Sequence, residues 1–261
     1  MKLNAQISSP TMPNNLPVVL LHGLFGKQDN LNQLKQYLLA DYKVISVDLR
    51  NHGMSEWHQD MDYKVMSQDL LGLLTELNLE KVHLLGHSMG GKVAMATALL
   101  APEKISSLMV ADIAPVNYLQ DRHSAVFSAL RQVASSPAIT SRREADILMS
   151  KMLPEPAVRQ FLLKSFDSTR SSRWQFNLDA LQAHYSEIMG WNYTSQLKYT
   201  GPVLFIKGGA SDYLQSEHHN AIKAHFPNAK AQIIPGAGHW LHAEKPAIFN
   251  GIIKRFLEQQ L

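Results

Sequence analysis

The stretch Val82–Val93 contains residues whose types and spacing fit two different chemistries. Gly86-His87-Ser88-Met89-Gly90 has the G-x-S-x-G pattern of a sharp strand-to-helix turn that exposes a nucleophilic serine. Continued to Lys92, the same residues nearly match the G-x-x-x-x-G-K loop that wraps a nucleotide phosphate. Both motifs follow a buried strand and open a helix, so the local pattern alone does not separate them.

Residues elsewhere in the chain favour the nucleophilic serine. A phosphate-binding loop needs Ser or Thr after its lysine to ligate magnesium, and Val93 has no such hydroxyl. A serine hydroxyl needs a base, which must come from another part of the chain. His239, in the glycine-flanked GAGHW, follows the last predicted strand, and Asp112 and Asp212 each follow an earlier one. Ser88, then an acid, then His239 is the chain order of a triad built on this turn.

Acyl transfer also requires two N–H donors for the oxyanion of the tetrahedral intermediate. Met89 directly follows the serine at the start of a helix, whose dipole favours negative charge. The loop His22-Gly23-Leu24-Phe25-Gly26 follows an early strand, and Leu24 is its predicted donor. The sequence therefore predicts an oxyanion hole formed by the Leu24 and Met89 amides.

The elements that must position these residues alternate along the chain. Predicted strands cover residues 1–7, 16–21, 44–47, 82–85, 107–111, 202–206 and 231–234. Predicted helices cover residues 29–39, 66–77, 90–100 and 246–258. Alternation of this kind predicts a mostly parallel sheet covered on both faces, with reactive groups at the carboxyl ends of the strands. Residues 115–199 show helical periodicity only, so residues 1–114 and 200–261 are predicted to form the core domain and residues 115–199 a helical lid inserted into it.

In these motifs the chain resembles the α/β-hydrolase family. HGLFG, DLRNHGMS, GHSMGG, GGASD and GAGHW occur in the family's order and leave only the lid unmatched. GHSMGGK with ADIAP, and QFLLKSF in the lid, are similar to small bacterial acyl-ester and acyl-thioester esterases. The resemblance implies the α/β-hydrolase fold and a serine hydrolase of carboxylic esters or thioesters with short to medium acyl chains, acyl-CoA included. It leaves both Asp112 and Asp212 open as the triad acid, with a slight preference for Asp112.

The resemblance also implies that the lid roofs an acyl pocket. Five aromatic residues are predicted to contact the substrate there: Phe25, Phe127, Phe161, Trp174 and Trp240. Four arginines of the lid could attract the phosphates of a coenzyme A ester, although a solvated face is the alternative: Arg142, Arg143, Arg170 and Arg173.

Other functions remain open on the same fold, because fold does not determine function. The triad could serve a C–C bond hydrolase, a lactonase or a lyase. A ligand receptor with a poorly active triad, or a scaffold protein with a vestigial site, would also keep these motifs. Tight small-molecule binding with slow turnover would mark the receptor, and an inert Ser88 would mark the scaffold.

Composition excludes several other classes of protein. The chain has 261 residues, 45% of them hydrophobic, and a formal net charge of +3, as expected for one globular domain of ordinary solubility. The small-molecule ester or thioester substrate is what the resemblance implies. Without a Lys/Arg block or a cysteine, neither nucleic-acid binding nor a thiolate metal site is predicted. His218-His219 and His239-x-x-His242 lack accompanying carboxylates, so a surface face rather than a metal site is expected, and no cofactor is required. No signal-peptide core or membrane-length apolar run is present, which predicts a cytoplasmic protein of open oligomeric state.

Overall fold

A single seven-stranded sheet forms the centre of the protein. The structure, a computed structural model, describes residues 1–11, 15–194 and 196–260. The strands are β1 (Ala5–Ser8), β2 (Val18–Leu21), β3 (Val44–Val47), β4 (Val82–His87), β5 (Ile105–Ala111), β6 (Val203–Gly208) and β7 (Ala229–Ile234). Their order across the sheet is β1-β3-β2-β4-β5-β6-β7, and only β1 is antiparallel to its neighbour. The predicted mostly parallel sheet is confirmed.

Helices cover both faces of this sheet because alternate residues of the central strands point to opposite sides. In β2, Val19 and Leu21 belong to one buried cluster, and Val18 and Leu20 belong to the other. Helices α2 (Tyr63–Glu76) and α3 (Met89–Leu100) pack on the first cluster. Helices α1 (Asn32–Leu38) and α11 (Pro246–Glu258) pack on the second. Because the central strands are buried on both faces of the sheet, their sequences are nearly continuous apolar runs.

Between β5 and β6 the described residues form five helices and, apart from isolated bridges, no strand. The helices are α4 (Ser124–Ala134), α5 (Arg142–Met149), α6 (Pro156–Leu163), α7 (Leu178–Ala183) and α8 (Tyr185–Met189). The division of the chain into a core and a lid at residues 115 and 199 stays a prediction.

The elements differ from the predicted ones mainly at their ends. The helix predicted from residue 29 begins as a 3₁₀ turn over Gln28–Leu31 and becomes α-helical only from Asn32. Helix α2 begins three residues before its predicted start, because the Asp62 side chain accepts a hydrogen bond from the Val65 amide and caps it. Two short helices were missed, α9 (His219–His225) and α10 (Leu241–Glu244). In the part of the chain that the structure describes, no helix has the length and apolar character needed to cross a membrane.

Candidate active site

Ser88 occupies a strained turn between β4 and α3. Its backbone has φ 53° and ψ −121°, a region that residues with a side chain rarely adopt. The flanking glycines make this turn possible. A Cβ on Gly86 would overlap the backbone oxygen of Gly90, and one on Gly90 would overlap the backbone oxygen of His22. The G-x-S-x-G pattern therefore reflects close packing of strand, turn and helix, with the serine held at the carboxyl edge of the sheet.

Ser88, His239 and Asp112 form a continuous chain of hydrogen bonds. His239 Nε2 lies 3.0 Å from Ser88 Oγ, and His239 Nδ1 lies 2.7 Å from Asp112 Oδ2. The Asp112 side chain is fully buried, and it also accepts hydrogen bonds from the Gly208 amide at 3.0 Å and from the Ser211 hydroxyl. Since a carboxylate only accepts, Nδ1 carries the imidazole proton and Nε2 is left free to accept from the serine.

Asp212, the other predicted acid, faces away from the hydrogen-bonded Ser88, His239 and Asp112. Its side chain is 65% exposed, and its two oxygens accept from Arg122 Nη1 at 2.8 and 2.9 Å. The hydrogen bond from Arg122 lowers the pKa of the Asp212 carboxyl. Asp212 contacts Arg122 rather than His239 because the turn after β6 directs its side chain outward while Ser211 points inward to Asp112.

Tyr213 packs on the imidazole of His239, and His87 binds the backbone of the same residue; the sequence analysis did not single out Tyr213. The Tyr213 ring stacks on the His239 ring with 3.8 Å between ring centroids. The Arg122 guanidinium in turn lies 4.3 Å from the centre of the Tyr213 ring. His87 Nε2 lies 2.8 Å from the backbone oxygen of His239. Burial places the pKa of His87 well below its usual value, so this ring is neutral and anchors the loop. An aromatic residue next to a candidate acid was the available signal for Tyr213.

Two buried histidines shape the loop that carries Leu24. His22 Nε2 accepts from the Leu49 amide at 3.0 Å, and His52 Nε2 accepts from the Phe25 amide at 3.2 Å. Both rings must therefore be neutral, with Nδ1 as the donor. The pKa values of the two rings agree with the neutral form. Burial lowers the pKa of His22, and it lowers that of His52 to about 3. Both histidines therefore support the backbone around this loop as neutral hydrogen-bond acceptors.

The two predicted oxyanion donors belong to the cavity that Ser88 also lines. Leu24 and Met89 both line the cavity above the serine. In the part of the chain that the structure describes, neither amide donates to another protein group. Met89 is the first residue of α3, where the helix leaves its N–H groups free. Their place in an oxyanion hole stays a prediction that this arrangement supports.

The cavity above Ser88 has a volume of about 440 Å³ and a mostly apolar wall. Of the five predicted substrate contacts, Phe25, Phe161 and Trp240 line it. Further apolar residues of the wall, which sequence reasoning did not single out, are Met152, Leu153, Val158, Leu162, Ile188 and Ile113. All six come from the segment between β5 and β6.

Trp174 and Phe127 do not reach this cavity, contrary to the prediction. Trp174 is fully buried, stacks on Phe176 at 5.4 Å and donates from its indole nitrogen to the Leu130 oxygen, so it belongs to the core. Phe127 packs edge-on against Phe25 and lines a neighbouring groove instead. The resemblance implied aromatic contacts in the lid but not which of these rings face the cavity and which face the core.

Three further predictions concern charged or polar side chains. His242 is buried against His87, with 4.5 Å between ring centroids, and is not part of a surface face; its helix α10 was not predicted. None of the four predicted lid arginines lines the cavity, and Arg173 instead donates to the backbone oxygens of Ser168 and Pro137. Over the described residues, no group of three or more His, Cys, Asp or Glu side chains is placed to hold a metal ion.

Known proteins resemble this chain over nearly its whole length. A family model described as alpha/beta hydrolase fold matches residues 17–246. An esterase named YbfF from Escherichia coli (strain K12) is 43% identical, over 98% of this chain and 99% of the relative. The sn-1-specific diacylglycerol lipase ABHD11 of Mus musculus is 40% identical, over 92% of this chain and 80% of the relative. A solved structure called a marine microorganism esterase is 35% identical, with a TM-score of 0.92 over 98% of this chain and 99% of that one.

Proposed function

The chain belongs to the α/β-hydrolase fold family and is an ester hydrolase, and we propose that Ser88 is its nucleophile. The observation that carries this proposal is the unbroken path from Ser88 Oγ through His239 to Asp112, at 3.0 and 2.7 Å. A serine without such a base is a poor nucleophile at neutral pH. The cavity above it is apolar, as an acyl chain requires.

The reaction begins when Ser88 Oγ attacks the ester carbonyl carbon and gives its proton to His239 Nε2. Asp112 stabilises the imidazolium that forms and keeps its Nδ1–H in place. The Leu24 and Met89 amides donate to the oxyanion, and each such donor typically contributes about 3 kcal/mol of transition-state stabilisation. The C–O bond to the leaving group then breaks, and His239 protonates the departing alcohol.

Water completes the cycle on the acyl-enzyme that remains. His239 accepts a proton from the water as its oxygen attacks the acyl carbonyl, and the second tetrahedral intermediate uses the same two amides. The Ser88–acyl bond breaks, the serine oxygen recovers the proton from His239, and the carboxylic acid leaves. A thioester would follow the same path with a thiol as the leaving group.

The cavity supports a substrate whose acyl part is short to medium in length and apolar. Its wall is dominated by aliphatic and aromatic side chains, and its polar residues include Lys92, Arg122, His123 and Glu155. An acyl-CoA remains one candidate substrate, but the four lid arginines named for it lie outside the cavity. Residues 115–199 act in this proposal as a lid over residues 1–114 and 200–261, and the cytoplasmic location remains part of it.

Labelling with a small fluorophosphonate tests the nucleophile directly. Intact and peptide mass are measured for the wild type, for Ser88→Ala and for Ser186→Ala, an exposed lid serine that serves as the matched control. One adduct on Ser88, present in the wild type and in the control and absent in Ser88→Ala, is the expected result. A folded wild type that forms no adduct would refute the nucleophile and leave a ligand-binding role for the cavity.

A further inference from the structure

Lys92 is a buried lysine with a complete set of backbone partners. It lies on α3, one turn after Ser88, and is 1% exposed. Its Nζ lies 2.8 Å from the Val116 oxygen, 3.0 Å from the Met189 oxygen and 2.7 Å from the Gly190 oxygen. The three carbonyls use all three N–H groups that an ammonium possesses. None of the catalytic steps above uses this side chain.

The three carbonyls belong to the two ends of the helical segment between β5 and β6. We call residues 116–118 and 188–191 the hinge pair, because the first leads into that segment and the second leads out of it. The Tyr118 amide donates to the Met189 oxygen at 3.0 Å, and the Trp191 amide donates to Asn117 Oδ1 at 2.5 Å. The two hinge stretches are therefore tied to each other, and Lys92 ties both to the helix of the nucleophile.

The geometry matches the charged form of the side chain. Lys92 Nζ lies 4.8 Å from the centre of the Tyr118 ring and 5.6 Å from that of Tyr63, both of which attract a cation. Burial lowers the pKa of Lys92 to about 7, whereas three carbonyl acceptors and two ring faces stabilise the ammonium. A neutral amine would turn a lone pair toward one of the three carbonyls. Loss of the charge would thus release one tie of the hinge pair.

The hinge pair also separates two spaces. On its inner side lies the cavity above Ser88, which Lys92 itself lines. On its outer side lies a groove of about 910 Å³, bordered by residues from both hinge stretches. Tyr118 and Met189 line both spaces, so they form the wall between them. If this wall moved outward, the inner cavity would open into the groove.

We propose that Lys92 is a positioning residue that sets the length of acyl chain the active site admits, by holding the hinge pair against α3. The inference rests on the proposed function, because it assumes that the acyl chain occupies the cavity above Ser88. Lys92 does not touch the reacting atoms. It acts through the wall formed by Tyr118 and Met189, which lie at the two ends of the helical segment between β5 and β6.

The size of the effect follows from the apolar surface that an acyl chain buries. Each methylene that gains a place in an apolar site raises kcat/KM by about fourfold. In the wild type the rise in kcat/KM ends at the length at which the acyl chain meets the wall formed by Tyr118 and Met189. If the wall yields enough for two more methylenes, the ratio of kcat/KM for an ester beyond that limit to kcat/KM for butyrate rises by about fifteenfold.

The test compares Lys92→Met with the wild type on p-nitrophenyl esters from acetate to dodecanoate. The rate of fluorophosphonate labelling measures the reactivity of Ser88 with a reagent that carries no acyl chain. Amide hydrogen exchange measures how readily the hinge pair opens. In Lys92→Met we expect the amides of residues 116–118 and 188–191 to exchange faster than in the wild type. We also expect the length limit, which is the acyl length beyond which kcat/KM stops rising, to be at least two methylenes longer. If Lys92→Met does not fold, Lys92→Gln, which keeps two N–H donors without the charge, is measured in its place with the same expectation.

A lysine surrogate separates the charge from the volume of the side chain. The chain has no cysteine, so Lys92→Cys introduces a single thiol that can be alkylated in denaturant and the protein then refolded, with wild type carried through the same cycle. An aminoethyl group restores an ammonium at the position of Nζ, and a propyl group has the same number of heavy atoms without charge. The aminoethyl protein should recover the wild-type length limit, and the propyl protein should keep the longer one.

Three results would overturn the inference. The length limit could stay at its wild-type value while the hinge amides exchange faster, which would make Lys92 structural only. The propyl group could restore the limit as well as the aminoethyl group, which would assign the effect to volume. Wild type could fail to label at Ser88, and the proposed function would then fail together with the inference. The first two outcomes leave the labelling intact and so distinguish failure of the inference from failure of the function.

Discussion

Replacement of Asp112 by Asn tests which aspartate supports His239. Asp112 Oδ1 accepts from the Gly208 amide, whose direction is fixed by the backbone, and Oδ2 accepts from His239 Nδ1. In Asp112→Asn the amide oxygen must keep the Gly208 contact, because an NH₂ group facing that N–H would leave two buried donors unpaired at a cost of about 1–3 kcal/mol. The Asn NH₂ group then faces His239 Nδ1.

This orientation forces the wrong tautomer on the imidazole. His239 Nδ1 has to accept from the new amide, so the ring proton moves to Nε2, which can no longer accept from Ser88. Loss of the acid in this manner typically lowers kcat by about 10⁴-fold, which corresponds to about 5 kcal/mol of activation free energy. In Asp212→Asn only an exposed pair with Arg122 is lost, worth about 0–1 kcal/mol, and kcat should stay within about threefold of wild type.

Saturating turnover of p-nitrophenyl butyrate, measured for both variants beside the wild type, decides between the two acids. Circular dichroism and thermal unfolding establish that each variant is folded, and fluorophosphonate labelling should slow in Asp112→Asn alone. The reasoning is refuted if Asp112→Asn retains kcat within tenfold of wild type while Asp212→Asn loses a thousandfold or more.

Other expectations follow from packing and protonation. Gly90→Ala should lower the free energy of unfolding by about 3 kcal/mol or more, because its Cβ overlaps the His22 oxygen; an unchanged urea midpoint would contradict this. Trp174→Phe should cost about 1–3 kcal/mol in urea unfolding and leave kcat/KM within twofold, whereas a larger kinetic change would place Trp174 in the site. Burial lowers the pKa of His242 from 6.5 to about 3, so the unfolded chain binds more protons and stability falls as pH drops through that window. His242→Gln should reduce this slope by up to about 1.4 kcal/mol per pH unit, and an unchanged slope across pH 6.5–3 would show that His242 is protonated in the folded state.

The sheet could be predicted from the sequence because its strands are buried on both faces. Short, largely apolar runs such as residues 44–47 and 82–85 are typical of the interior of a parallel sheet, and each is followed by a turn signal. The short helices α9 and α10 escaped prediction for the opposite reason. They carry few apolar positions, so their helical state depends on what they pack against rather than on their own pattern.

The sequence by itself was enough to single out Ser88, His239 and two candidate aspartates. A Cβ on Gly86 would overlap the backbone oxygen of Gly90, and this local constraint marks the turn that carries Ser88. The chain order of serine, acid and histidine then follows from the succession of strands. The glycine spacing can be recognised along the chain because the contact that requires Gly86 is with a residue only four positions away.

Only the tertiary structure places Asp112 rather than Asp212 against His239, and only it separates the aromatic residues that line the cavity from those in the core. Asp112 and Asp212 both follow strands, but their side-chain directions depend on how β5, β6 and the His239 loop meet, up to 127 residues apart in the chain. Lys92 shows the same dependence, since its three carbonyls come from residues 24 to 98 positions away. A side chain's partners across such distances are set by the packing of whole elements, and no pattern within one element records them.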